Sequence, residues 1–428
     1  MNHKSIAFHH FGCKVNFAET SALSRQFKDK GYTIINFKDK ADIYVISSCI
    51  VTGVAEKKCR AAIRQAHKIN PQAKIAVIGC FSELKPLEIA KIGGVDLILG
   101  HQEKFNLLEQ IEYFDSAREI VVPDKPALPE NLFIPSWSYG DRTRSFLKIQ
   151  DGCDYYCAYC TIPLARGHSR SDTIENAVKN AREIAVAGAK EIILTGVNIG
   201  DFGKHNQENL FGLIRELEKI REIPRIRLSS IEPDLLTDEI IEFISGSDRF
   251  MPHFHIPLQS GSDKILGKMK RKYDTSLFKS RIQTLNRKLP DACIATDVIV
   301  GFPGETDEDF ADTFSLLENL NISYMHVFTY SPRENTLAIT MKEIVHDKVK
   351  KERSEKLHRL SENKKHYFYR MNQGAEVNVL FESGNTNGFM HGFTENYIKV
   401  KTPYKSEYIN RIIRLKLEKL DEDGYYLY

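Results

Sequence analysis

The residues able to do unusual chemistry are eight cysteines, at positions 13, 49, 59, 80, 153, 157, 160 and 293. Three of them form Cys153-x-x-x-Cys157-x-x-Cys160, which converges three thiolates in one tight loop. Soft thiolates suit zinc, copper(I) or an iron–sulfur cluster. A structural zinc wants four ligands, so three close cysteines with no fourth cysteine nearby fit a four-iron cluster with one iron left open. His168, eight residues on, offers the alternative of a completed zinc site. Cys13, Cys49 and Cys80 are spaced by 36 and 31 residues. They are either three unrelated buried thiols or, if their elements bring them together, the ligands of a second cluster. Cys59 and Cys293 fall in a helix-like and a strand-like stretch and read as core packing.

The elements decide between those readings. Ile6–Phe11, Asp42–Ser47, Lys74–Ile78 and Val95–Leu99 read as strands, with helices over Ala18–Lys30 and Val54–Ile69. Continuous apolar runs alternating with helices indicate a parallel sheet covered on both faces. Cys13, Cys49 and Cys80 then each follow the C-terminal end of a strand, the edge where open α/β sheets bind ligands. Residues 123–136 carry Pro123, Pro126, Pro129 and Pro135 and read as a linker. Alternation resumes with strands expected at Phe146–Gln150, Glu191–Gly196, Arg225–Ser230, His253–Leu258, Ala292–Gly301 and Tyr324–Tyr330, and helices such as Thr173–Ala187 and Asp307–Leu320. Six βα units suggest a partly closed barrel with its chemistry at the C-terminal strand ends. The Cys153 loop lies at the first such end. Residues 343–371 read as one long charged helix. Ala375–Glu382, Phe389–Lys401, Arg411–Leu420 and Tyr425–Tyr428 read as strands of a small β-barrel. The expected fold is thus α/β in three parts: an open parallel domain over 2–115, a partial (β/α)6 barrel over 139–369 and a β-module over 372–428.

Composition narrows the class. The 428 residues are 42% hydrophobic and 27% charged, which excludes a disordered chain, a collagen and a coiled coil. Apolar runs such as Cys293–Phe302 are far shorter than the ~20 residues that cross a bilayer. The start of the chain runs straight into a strand and does not read as a signal peptide. The expected setting is reducing and cytoplasmic, with no membrane partner. A net charge of +3 says little about nucleic acid. Local charge says more: Lys264–Lys288 has nine basic residues against Asp274 alone, and 342–370 has ten basic residues against five acids. The module 372–428 is net acidic by one charge, yet Lys399, Lys401, Lys405, Arg411 and Arg414 form a basic stretch. Such surfaces suit phosphate backbones, although a solvated face of mixed charge explains the 342–370 run as well.

These motifs resemble the radical S-adenosylmethionine methylthiotransferase family. Cys153-x-x-x-Cys157-x-x-Cys160 resembles the superfamily signature, Thr195-Gly-Val-Asn-Ile-Gly200 its second-strand glycine motif, and Ser229-Ser-Ile-Glu-Pro233 its ribose-side strand. His255-Ile-Pro-Leu-Gln-Ser-Gly-Ser262, Asp297-Val-Ile-Val-Gly-Phe-Pro-Gly-Glu305 and Phe11-Gly-Cys-Lys-Val-Asn16 are similar to motifs of the methylthiotransferase branch. Gly12-Cys-Lys-Val-Asn16 and the short loop Arg166-Gly-His-Ser-Arg170 resemble the threonylcarbamoyladenosine (MtaB) type. The resemblance spans the whole chain. It implies a TRAM-like C-terminal module, although this one departs from the usual TRAM sequence.

The resemblance implies two [4Fe–4S] clusters, on Cys153, Cys157 and Cys160 and on Cys13, Cys49 and Cys80. The first would split S-adenosylmethionine to a deoxyadenosyl radical; the second would hold the sulfur to be inserted. Cofactor contacts are expected at Thr195, Gly196, Ser230, Glu232, Gln259 and Gly301. For Gly196 and Gly301 a simple turn is the equal alternative, and for Glu232 an ordinary strand-end acid. No catalytic residue beyond the cluster ligands is identified. Tyr155, Tyr156 and Tyr159 either shield the cluster loop or stack on adenine. Expected partners are the anticodon stem-loop of tRNA, an electron donor such as a flavodoxin or ferredoxin, and a sulfur source. The implied reaction inserts a methylthio group at C2 of N6-threonylcarbamoyladenosine. Isopentenyladenosine in tRNA or an aspartate of a ribosomal protein are alternative substrates, and a zinc-stabilised RNA-binding protein is the non-enzymatic alternative.

Overall fold

The computed structural model describes residues 4–50, 53–113, 132–140 and 143–428. Most of the expected proline-rich linker, 123–131, lies outside them. The chain divides into two compact units: Met1–Ser138 with Gln150–Asp154 and Cys160–Arg170, and Tyr139–Ile149 with Tyr155–Tyr159 and Ser171–Tyr428.

The first unit is a five-stranded parallel sheet. Its strands are β1 (Ser5–His10), β2 (Thr33–Ile35), β3 (Ile43–Ser48), β4 (Lys74–Gly79) and β5 (Leu97–Leu99), in the order β2-β1-β3-β4-β5. Successive side chains feed two separate cores. Tyr44, Ile46, Ile75 and Val77 pack on one face; Ile6, Val45, Ala76 and Ile78 pack on the other. Burial on both faces is why these strands read as unbroken apolar runs. Cys59, on helix α2 (Gly53–Ile69), is fully buried in the first of these cores. The sequence reading missed β2, a largely exposed edge strand of only three residues, too short for a period to show. Helix α1 (Lys14–Asp29) begins four residues before the expected start, and Cys13 is its N-cap residue. Cys80 opens a five-residue helix, α3 (Cys80–Leu84), rather than a loop.

The second unit carries all six expected barrel strands, the first shifted by two residues and the other five with shorter bounds. They are Arg144–Lys148, Glu191–Thr195, Arg225–Leu228, His253–His255, Cys293–Val300 and Tyr324–Thr329. The first three pair in parallel, as do the last three. A parallel bridge between Ser230 and His255 joins the two halves. The strands therefore follow chain order around a partial barrel. The long helix, Asp347–Met371, lies against the last strand, where Ser361 Oγ accepts from Met325 N at 2.8 Å and donates to Met325 O at 3.0 Å.

The C-terminal module is a curled six-stranded sheet in the order Ile412–Lys416, Glu376–Phe381, Phe389–Phe393, Lys399–Pro403, Tyr426–Leu427, Lys419–Leu420. The expected single strand Phe389–Lys401 is in fact two antiparallel strands. The chain reverses at Thr394–Tyr397, where Tyr397 N donates to Thr394 O and Tyr397 sits at φ 68°. No glycine or proline marks that reversal, so the sequence hides it. The module closes the N-terminal end of the barrel. Arg144 and Arg225, each the first residue of its strand, bond Glu382 Oε1 (2.9 Å) and the Phe393 carbonyl (3.1 Å) respectively. Asn396 donates to the carbonyl of Asp291, and the His253 and Tyr397 rings stack at 4.3 Å. Among the described residues no helix is long and apolar enough to cross a membrane.

Candidate functional site

In the first unit Cys13, Cys49 and Cys80 follow β1, β3 and β4, which are neighbours in the sheet. Two polar residues tie these ends together. Asn16, on the first turn of α1, donates to the carbonyls of Phe11 (2.9 Å) and Ser48 (3.0 Å). Ser48 Oγ donates to Ile78 O at 2.6 Å and accepts from the backbone N–H groups of Phe81 and Ser82. Gly12 has φ +94°, and a Cβ there would lie 2.7 Å from Cys49 Sγ. Only glycine lets the first loop approach the second cysteine so closely. Cys13 is exposed, Cys49 and Cys80 are buried, and none is in a disulfide. Burial pushes the Cys80 thiol up, while Arg166 and Lys104 favour its thiolate.

Beneath this edge lies a buried charge network that the sequence reading did not find. Arg166 donates to Asp151 Oδ1 (2.8 Å), Asn16 Oδ1 and Glu19. Lys104 Nζ donates to Glu19 Oε2 at 2.6 Å and lies 3.1 Å from His101 Nδ1. His101 Nε2 lies 3.0 Å from Asp151 Oδ2. Burial, with Lys104 and Arg166 alongside, lowers the His101 pKa to about 3, so the ring is neutral at pH 7. Asp151 and Arg166 flank the Cys153–Cys160 loop in sequence. A carboxylate at the end of an apolar strand was the one available signal, and its partners are too remote in sequence to infer.

Within the same unit Cys153 N donates to Gly167 O at 3.1 Å, and Cys160 Sγ accepts from Ile162 N at 3.4 Å. His168, the candidate fourth zinc ligand, is 69% exposed and pairs with Asp154 at 3.1 Å.

In the second unit Cys157 Sγ accepts from Arg271 Nη1 at 3.0 Å. Arg271 also pairs with Glu232 and donates to Tyr273 Oη at 3.1 Å. Burial pushes the Glu232 carboxyl up to about 7; Arg271 opposes this, and Asp234, Asp297 and Asp201 add to it. Tyr155 donates to Asp234 at 2.6 Å, and Tyr159 packs edge-on against Phe302. Tyr156 is 48% exposed. Thr195 is buried at its strand end, where its carbonyl accepts from Ile149 N, while Gly196 and Ser230 are half-buried. Gln259 adopts φ 67°, its N–H donating to Asp297 O and its carbonyl accepting from Ile299 N. Gly301, at φ +73°, leaves space filled by Lys350, whose Cγ would lie 2.3 Å from a Cβ. The turn and the long helix therefore account for that glycine. Cys293 is buried in its strand, where burial pushes the thiol up to about 12.

The basic cluster needs a correction. Of its nine cations, Lys264, Lys268, Arg271, Arg281 and Lys288 are paired with Asp309, Glu343, Glu232, Asp238 and Glu242. Other elements supply every one of these acids, so a count along the sequence overstates the surface charge. Lys270, Lys272, Lys279 and Arg287 remain exposed. In the C-terminal stretch Lys401 pairs with Asp421 and Asp423, and Arg414 with Glu376.

Residues 147–317 match the model of the radical SAM superfamily, and residues 5–100 that of the uncharacterized protein family UPF0004. Of the solved structures, the radical S-adenosylmethionine methyltransferase TsrM from Kitasatospora setae is similar with TM-score 0.57 at 13% identity, covering 79% of this chain and 77% of that one. The cobalamin-dependent radical enzyme OxsB gives 0.52 at 13%, covering 83% and 56%. At such identities these two show the fold alone: a radical SAM barrel. Among curated proteins, the threonylcarbamoyladenosine tRNA methylthiotransferase MtaB of Bacillus subtilis (strain 168) is 38% identical over 97% of this chain and 94% of its own length. Its namesake in Aquifex aeolicus (strain VF5) is 37% identical over 96% and 99%. The tRNA-2-methylthio-N(6)-dimethylallyladenosine synthase of Bacillus subtilis (strain 168) is 33% identical over 95% and 82%. The chain belongs to the MtaB family of radical SAM methylthiotransferases. Membership of the superfamily implies S-adenosylmethionine and one [4Fe–4S] cluster.

Proposed function

We propose that this enzyme inserts a methylthio group at C2 of N6-threonylcarbamoyladenosine, next to the anticodon of tRNA. The observation that carries the substrate choice is the near full-length similarity to proteins named for that reaction, which exceeds the similarity to the dimethylallyladenosine enzyme. Four-iron clusters held by Cys153, Cys157 and Cys160 and by Cys13, Cys49 and Cys80 would, with S-adenosylmethionine, supply the electron, the radical and the sulfur.

The chain's own residues do the placing. The donor sets fit such groups: none of the six thiols is in a disulfide, and where burial pushes the Cys157 and Cys80 thiols up, Arg271 and Arg166 work against it. Asn16 and Ser48 hold the loops of the second set in register. Arg271 fixes Cys157 and orients Glu232, which we assign with Thr195, Gly196, Ser230 and Gln259 to cofactor contact. Residues 2–115 would present the second cluster and 139–369 the radical chemistry, while 372–428 seals the barrel. A target base must leave its stack, which is cheapest in an anticodon loop. The reading also takes in a flavodoxin or ferredoxin as electron donor, a separate sulfur source, and the cytoplasm as setting.

The test offers the reconstituted enzyme tRNA carrying either modified adenosine, and the ribosomal protein. Methylthiolation of threonylcarbamoyladenosine, read by nucleoside mass spectrometry, is expected. Methylthiolation only of isopentenyladenosine, or only of an aspartate, sinks the substrate assignment and leaves the reaction class standing.

A further inference from the structure

His255, Asp297 and His326 stand on three adjacent parallel strands of the barrel. Their ligand atoms lie within 4.8 Å of one another. Asp297 and His326 are partners in register, and His255 Nε2 lies 2.7 Å from Asp297 Oδ1. The His326 ring meets those of His255 and Tyr324 edge-on, at 5.5 and 5.4 Å. All three side chains point away from the helical layer. Their strand neighbours Thr296 and Val298 are fully buried, and Met325 is bonded to the long helix. The trio therefore faces the concave interior, where the His255 and Asp297 side chains each keep 20% exposure.

The interior is shared with the cofactor end. Asp297 acts electrostatically on Glu232, Glu232 pairs with Arg271, and Arg271 bonds Cys157 Sγ. His326 is exposed and His255 pairs with Asp297, so the trio is a solvent-accessible polar set that a ligand with matching donors and acceptors can engage. His255 and Asp297 stand in motifs of the whole branch, so His326 is the member that distinguishes substrates, and neither an adenine ring nor an isoprenyl chain requires its imidazole. A threonylcarbamoyl substituent does: it is a urea-linked amino acid with two N–H groups, a hydroxyl and a free carboxylate.

We propose that His255, Asp297 and His326 form the subsite that reads this substituent, the imidazoles donating to its carboxylate and urea oxygen and Asp297 accepting from its hydroxyl or N–H. This deepens the function proposed above and rests on it. Sites built to bond a polar substituent also reject analogues that lack it.

The test measures affinity of the reconstituted holoenzyme for one tRNA with and without the threonylcarbamoyl group. Wild type is expected to prefer the modified tRNA about tenfold or more, the scale of one hydrogen bond to a charged group. His326→Phe should abolish that preference by weakening only the modified tRNA, His326→Gln should restore part of it, and cluster iron content reports folding. Equal weakening of both tRNAs, or of neither, overturns the proposal. So does a stoichiometric divalent metal other than iron, present in wild type and lost in His326→Phe, since the same trio could ligate one. A wild type that methylthiolates threonylcarbamoyladenosine yet binds both tRNAs alike overturns the subsite and leaves the function intact. A wild type that modifies only isopentenyladenosine overturns both.

Discussion

A glycine at position 12 is a condition for placing Cys49. Its φ of +94° disfavours any side chain, and a Cβ would press on Cys49 Sγ. Gly12→Ala should therefore displace one ligand of the second set while leaving the Cys153 loop intact. We expect iron to fall from about eight toward about four per chain, the content of one four-iron cluster, with S-adenosylmethionine cleavage by dithionite-reduced enzyme retained. Unchanged iron would show that Cys49 tolerates the shift. The triple replacement of Cys13, Cys49 and Cys80 by Ala should give the same iron loss and stop sulfur insertion. Cys157→Ala, by contrast, should abolish cleavage outright. Deoxyadenosine release at the wild-type rate from that variant would falsify the first assignment.

Elements position these residues through buried polar contacts, and those have a pH signature. His101 is buried with the Lys104 ammonium 3.1 Å from Nδ1 and with Asp151 (3.0 Å) and the Arg170 guanidinium (2.8 Å) at Nε2, so the folded state resists a second proton. Its pKa drops from 6.5 to about 3 on folding. Below about pH 6.5 the unfolded chain binds a proton that the folded chain refuses, and stability is lost as pH falls toward 3. Between pH 7 and pH 5 this amounts to about 2 kcal/mol. His101→Gln should flatten the fall in melting temperature over that range, whatever it does to stability at pH 7; an unchanged slope would place the titration elsewhere. The strands and helices around this network were legible, because doubly buried strands write themselves as apolar runs and Cys13, Cys49 and Cys80 punctuate their ends. Asn16, Ser48, Glu19, His101 and Asp151 were not. Each is an ordinary polar residue until folding brings partners up to 150 positions away. The edge strand Thr33–Ile35 and the turn at Thr394–Tyr397 were hidden for simpler reasons, the strand's three-residue length and a reversal with no glycine or proline.

Over the whole molecule, charge is used in two ways that sequence counting merges. On the outer surface Lys270, Lys279 and Arg287 are cations of the dense cluster with no carboxylate partner among the described residues, as is Lys272, which lies over the Tyr155 ring. Reversing the first three to Glu, which leaves that ring contact alone, should weaken tRNA binding across sequences and flatten its salt dependence by about one unit of slope per lost contact. Unaltered binding would move the phosphate surface elsewhere. At the closed end of the barrel the charges are structural. Glu191 is fully buried and bonded by Arg227 at 3.1 and 3.2 Å, with Arg225 at 3.9 Å. Burial works to raise the Glu191 carboxyl, but Arg227, Arg144 and Arg225 outweigh it and hold it ionised. These arginines also reach the C-terminal module, where Arg225 and Arg227 bond the carbonyls of Phe393 and Glu395, and Arg144 pairs with Glu382. The module is thus a lid over a buried ionic layer, and two of its own cations, Lys401 and Arg414, are spent on Asp421, Asp423 and Glu376. Leaving buried charges uncompensated costs about 3–5 kcal/mol. Glu191→Gln should therefore lower stability by about 3 kcal/mol in urea unfolding, and a chain ending at residue 371 should lose soluble fold along with tRNA binding. Lys399→Glu with Arg411→Glu, which leaves the ionic layer untouched, should keep the wild-type melting temperature. If the truncated chain instead folds with wild-type stability and loses only tRNA affinity, the module is a clamp on RNA rather than a seal on the barrel.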